Sequence, residues 1–119
     1  MAVQSSRVVH LELRTANLPR ACSFYTSMFG WRVEQIRLGS SSYLTVGLGK
    51  AIEGGVVEDE AERSLWLPYV EVEDAVAATD RAQALGAAVS LQPREGPGGW
   101  RSVIATPSGG EVALWQPKR

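Results

Sequence analysis

The chain spells one succession of elements twice, and few folds accommodate that. Residues 8–31 (VVHLELRTANLPRACSFYTSMFGW) begin as a strand. Val9, Leu11 and Leu13 fall on one face, and His10, Glu12 and Arg14 on the other, because side chains alternate along a strand. The period then changes. Leu18, Ala21, Cys22, Tyr25, Met28 and Phe29 recur at helical spacing and predict one apolar stripe. Asn17 is placed to cap that helix, Pro19 suits its first turn, and Gly30 suits its end. Strands are expected at 31–38, 42–48 and 51–58, with a turn at 39–41. In the last of these Gly54 and Gly55 permit a bulge or a close backbone approach. The polar stretch 59–64 (DEAERS) reads as a linker. The order then repeats. A strand at 65–72 leads to a helix capped by Asp74, with Ala75, Ala78, Ala82 and Leu85 as its expected buried stripe and Gly86 as its close. Strands follow at 88–92, 100–105 and 111–116, separated by a loop at 93–99 and a turn at 106–110. Each half therefore reads β-α-β-β-β, and Asn17 in the first corresponds to Asp74 in the second, 57 residues on.

A three- or four-stranded sheet with a helix on one face leaves its other face uncovered. That face is where function is to be sought. The 119 residues suit one domain, or two small repeats sharing a core. Twelve basic and thirteen acidic residues leave a net charge of −1, so no basic stripe points to nucleic acid. No apolar run approaches the length of a membrane span, and the start, MAVQSSR, lacks the apolar centre of a secretion signal, so a cytoplasmic setting is expected. Cys22 is the single cysteine, which excludes a disulfide within the chain and a cysteine metal cluster. Its place on the helical stripe reads as a small core hydrophobe.

Several short runs carry a family resemblance. They are His10 on the first strand, the helix start Asn17-Leu18-Pro19-Arg20-Ala21, and Phe24-Tyr25 followed by Phe29-Gly30-Trp31. The second half adds YVEVED at 69–74, Ala84-Leu85-Gly86, Pro97-Gly98-Gly99-Trp100, Thr106-Pro107-Ser108-Gly109 and Leu114-Trp115-Gln116. Together these resemble the vicinal oxygen chelate superfamily, which includes glyoxalase I, bleomycin-resistance proteins and extradiol dioxygenases. The resemblance implies an α+β fold of two βαβββ modules, about 7–58 and 65–117, within one domain spanning 1–119. It implies a cupped, partly open mixed sheet with the helices on its outer face, and a homodimer.

The family's enzymes hold a divalent metal with four side chains, one on the first and one on the last strand of each module. The first of these positions matches His10, a fitting donor for zinc, iron, nickel or manganese. The second module's first position matches Leu67 and its last matches Ala113, neither of which can ligate. The fourth-strand position has two readings, Glu58 in one register and a glycine of the Gly54-Gly55 pair in the other. At most His10 and Glu58 survive, fewer than the three protein ligands a catalytic zinc keeps. The expectation is therefore no metal cofactor. A lyase, isomerase or dioxygenase using a metal at His10 and Glu58 is the alternative.

His10 and Glu12 are also the candidates for metal-free acid–base chemistry, with Glu12 orienting the imidazole. The plainer reading makes His10 a hydrogen-bonded polar residue filling the cup. The expected ligand-contacting set is His10, Glu12, Tyr43, Leu67, Tyr69, Trp100 and Trp115, with Arg101 helping to orient a ligand or standing as a solvated surface charge. Trp31 and Trp66 read as core. A lining of flat rings and a few polar groups suits an aromatic small molecule. The function expected is that of a bleomycin-resistance-like protein that binds or sequesters such a molecule.

Overall fold

The computed structural model describes residues 5–38, 41–49, 52–58 and 65–118, with the backbone alone at 37–38 and 41–43. Eight strands and two helices follow in the order β1 (Val8–Thr15), α1 (Leu18–Phe29), β2 (Val33–Leu38), β3 (Ser41–Gly47), β4 (Glu53–Glu58), β5 (Leu65–Glu71), α2 (Ala75–Ala84), β6 (Ala88–Gly96), β7 (Gly99–Ala105) and β8 (Glu111–Pro117). This is the α+β succession read from the sequence. The expected linker at 59–64 lies outside the described residues, as do two positions of the turn at 39–41.

The chain forms two compact units, one of His10–Leu67 and one of Met1–Val9 with Pro68–Arg119. Within the first, the strands run in the order β2-β3-β4-β1. Two antiparallel pairings carry β2 to β4, and β4 then lies parallel to β1, so the sheet is mixed and open. Within the second unit the order is β5-β8-β7-β6, again with one parallel pair, β5 with β8. Parallel neighbours need a long crossover, and α1-β2-β3 supplies it in one half and α2-β6-β7 in the other.

The helices begin where the caps predict. The Asn17 side chain accepts a hydrogen bond from the Arg20 amide at 3.1 Å, and that of Asp74 accepts one from Ala77 at 3.0 Å. Gly30 closes α1 in the left-handed region at φ 70°, a conformation that costs other residues energy. The α1 stripe is shorter than its spacing predicts. Leu18, Ala21, Cys22 and Tyr25 pack on Leu13, Val46 and Val56, whereas Met28 is 64% exposed. On α2 the expected Ala75 is buried and Ala78 and Ala82 are partly buried, but Thr79 joins them and Leu85, 67% exposed, does not.

The expected loop at 93–99 is largely strand. β6 runs to Gly96 and β7 starts at Gly99, which leaves Pro97 and Gly98 as a tight hairpin turn. The β6 register shifts between Leu91 and Arg94, around Pro93. A proline cannot donate to the ladder, and the outermost strand of this unit's sheet tolerates it at an irregularity.

Candidate functional site

The register of β1 against β4 decides which residues share a face with His10. His10 pairs with Glu53, Glu12 with Gly55, and Arg14 with Val57. Side chains alternate, so these six lie on the helix-free face of the sheet, while Leu11, Leu13 and Thr15 look toward α1. The imidazole lies over Gly55. A methyl group built there would come within 2.9 Å of His10 Nε2. The glycine reading of the fourth-strand position is thus the one the register supports, and the ring itself fills the space a donor side chain would need.

Glu58, the other candidate ligand, is not beside His10. It pairs with Thr15 on the α1 side, where its carboxylate accepts a hydrogen bond from the Leu18 amide at 3.2 Å. The reason is physical. The first amides of a helix lack partners within it, and a carboxylate meets both that need and the positive end of the helix dipole. Leu67 is 2% exposed, and Ala113 is wholly buried. Among the described residues, no group of three or more His, Cys, Asp or Glu side chains is placed to hold a metal ion. The expected ligand pair, His10 and Glu58, is not brought together.

The surroundings of His10 set its charge. Burial holds the imidazole below its usual value of 6.5, and the Glu12 and Glu53 carboxylates oppose that shift without overcoming it. The ring is therefore neutral at pH 7. Glu12 is buried, and the Arg14 guanidinium donates to it at 3.2 Å, so its charge is compensated at once.

In the second unit the helix-free face gathers a different set. Register pairs Tyr69 with Ala113 on β5 and β8, and Arg101 with Trp115 on β7 and β8. Arg101 Nη1 donates to the Tyr69 hydroxyl at 2.8 Å, and the Tyr69 and Trp115 rings lie 6.3 Å apart at 51°. The hairpin turn packs on that indole, since a methyl group at Gly98 would lie 3.2 Å from Trp115 Cη2. Arg101 is thus a half-buried partner of Tyr69 rather than a solvated charge. Trp100 is not brought to this group. It alternates with Arg101 and shares the α2 side with Ser102 and with Gln116, whose side chain accepts from the Ala75 amide. Tyr43 lies on β3, but its side chain is outside the described residues.

A hollow on the α1 side of the first unit was not anticipated from the residues. It measures about 620 Å³ and is lined mainly by Leu11, Tyr25, Phe29, Trp31, Leu48 and Trp66. Trp31 and Trp66 do pack against the core, as expected, yet they do so at the edge of a space. The aromatic spacing of Tyr25, Phe29 and Trp31 was the available signal.

Comparison with known proteins agrees with this architecture. Residues 7–114 match the Glyoxalase/Bleomycin resistance protein/Dioxygenase superfamily, and the chain belongs to that family. It is 28% identical over 117 residues to a Mycobacterium tuberculosis protein named "Putative glyoxylase CFP32", covering 92% of this chain and 45% of that one. It is 24% identical over 123 residues to the anthracycline biosynthesis protein DnrV of Streptomyces peucetius, covering 88% and 45%. The chain therefore spans about half the length of the curated relatives it matches. Among solved structures, the methylmalonyl-CoA epimerase of Mycobacterium tuberculosis superposes with a TM-score of 0.67 at 16% identity, covering 99% of this chain and 94% of that one. That likeness is one of fold. No described helix is long and apolar enough to cross a membrane.

Proposed function

We propose that the chain is a metal-independent binding protein for a hydrophobic, aromatic small molecule, held on the helix-free sheet surface. The observation that carries this reading is the occupancy of the donor positions. By the family resemblance Gly55, Leu67 and Ala113 fall at chelating positions; a side chain at Gly55 would meet the His10 ring, and Leu67 and Ala113 are buried aliphatic residues. Tyr69 and Trp115 supply flat surface, and the Arg101 to Tyr69 hydrogen bond holds a polar edge beside it. Within the other unit, His10 and Glu12 stand on the helix-free face as its own polar groups. The relative named for anthracycline biosynthesis is consistent with an aromatic ligand. A cytoplasmic homodimer is part of the same proposal, and sedimentation velocity checks its size.

The test joins two measurements on protein purified without chelator. A panel of conjugated aromatic compounds is titrated against tryptophan fluorescence, and metal content is measured by elemental analysis. The expected result is saturable quenching by at least one compound, weakened on Trp115→Ala, with metal well below stoichiometry. Stoichiometric metal that is lost on His10→Ala, or a panel with no binder, would overturn the proposal.

A second reading rests on His10 itself. A neutral, half-buried imidazole between two carboxylates can accept a proton from a bound substrate without a metal. On that reading His10→Ala abolishes a turnover that Glu12→Gln only slows, while ligand binding persists in both.

A further inference from the structure

The hollow beside α1 lies on the opposite side of the sheet from His10, because Leu11 on its floor alternates with His10 and Glu12 along β1. Its walls are rings in a defined arrangement. Trp31 and Trp66 meet edge to face at 89°, 6.1 Å between centroids. Tyr25 stacks on Trp31 at 5.4 Å and 13°, and Phe29 tilts against the same indole at 5.0 Å. The rim owes its position to a glycine. A methyl group at Gly54 would meet the Leu48 side chain and the Val46 carbonyl at 2.8 Å, so only glycine lets Leu48 fold onto the sheet there. Among the described lining residues none is charged.

Its volume, about 620 Å³, falls within the roughly 300–1,000 Å³ of pockets that hold small organic ligands. Two aromatic walls at right angles offer one face for stacking and one for an edge contact, the two favoured geometries of ring pairs. Leu11 and Leu48 complete an apolar surface that would desolvate a charged group without compensating it. We propose that this hollow is a second binding site, separate from the helix-free face, for a flat, uncharged molecule of two or three aromatic rings. The inference does not rest on the function proposed above, since none of its residues belongs to that set.

N-phenyl-1-naphthylamine, a neutral aromatic fluorophore, is the probe. Titrated into the full chain, it is expected to brighten and saturate at one per chain. Ile52 also lines the hollow; Ile52→Glu, which puts a charge in that lining, and Leu48→Trp, which fills the space, are each expected to weaken binding at least tenfold. Circular dichroism melting confirms that both variants fold. A measurement on the unaltered chain guards against their failure. The four indole N–H resonances are assigned through single Trp→Phe variants, and the probe is expected to shift those of Trp31 and Trp66. Three results overturn the proposal: no saturable binding, a shift confined to Trp115 with binding lost on Trp115→Ala, or Trp31 and Trp66 resonances that move with protein concentration alone. The last would mean that a second copy of the chain covers the hollow.

Discussion

The two helices sit on their sheets in different ways, although each half follows the same order of elements. On the α2 side, Ala75 and Thr79 are one turn apart, and both are buried against the sheet. The Thr79 hydroxyl lies 2.6 Å from the Ala75 carbonyl and 2.7 Å from the Ser102 hydroxyl, so the sealed layer contains polar groups that are fully satisfied. On the α1 side no helix residue reaches full burial. Tyr25, Trp31 and Trp66 meet there ring against ring, and bulky rings prop elements apart where small residues let them close. The volume of the side chains at the contact, not the order of the elements, decides whether a helix seals a sheet or leaves a hollow beside it.

Enlarging a residue tests this contrast most strongly. Ser102→Leu should destabilise the protein by about 3 kcal/mol in urea unfolding, since overpacking strains a filled layer and the hydroxyl pair is broken. Thr79→Val, nearly the same in shape, should cost about 2 kcal/mol by leaving Ser102 with one buried partner fewer. Asn17→Ala and Asp74→Ala should each cost about 1 kcal/mol, because the caps are equivalent even though the faces are not. Leu11→Phe should change stability by less than about 1 kcal/mol, since the hollow has room for the larger ring. A loss as large as that of Ser102→Leu would show that the two sides are equally tight.

The smallest effect is one of pH. His10 binds its proton more weakly folded than unfolded, so the unfolded chain takes up protons first as the pH falls below about 6.5. Stability should therefore be full above that value and decline beneath it. His10→Gln should flatten the decline in melting temperature between pH 7 and pH 5, and an unchanged slope would remove His10 from the account.

Much of this was legible in the residues. Alternation along 8–14 separated the His10 face from the Leu11 face, and Asn17, Gly30 and Asp74 marked the helix ends where the structure has them. Leu67 and Ala113, read as non-ligating from their residue type, are both buried. Other features depend on pairing, which a single strand does not encode. Glu58 is compatible with either face until the β1–β4 register fixes it beside Thr15. Pro93 and the run of glycines argued for a loop, but an outermost strand can hold a proline at an irregularity. Helical spacing put Met28 and Leu85 on buried stripes, yet both stand exposed near the C-terminal ends of their helices. The hollow itself was not legible because it is what remains after packing, although the spacing of Tyr25, Phe29 and Trp31 marked its aromatic wall.

The bond from the Leu18 amide to Glu58 spans forty residues. The opening turn of α1 is therefore completed by a strand made much later in the chain, after two hairpin strands have intervened. Deuterium uptake at the Leu18 amide would then time the docking of β4, while the amides further along α1 report the helix itself. A helix that looks local in the sequence thus carries at its first turn a sensor of long-range assembly.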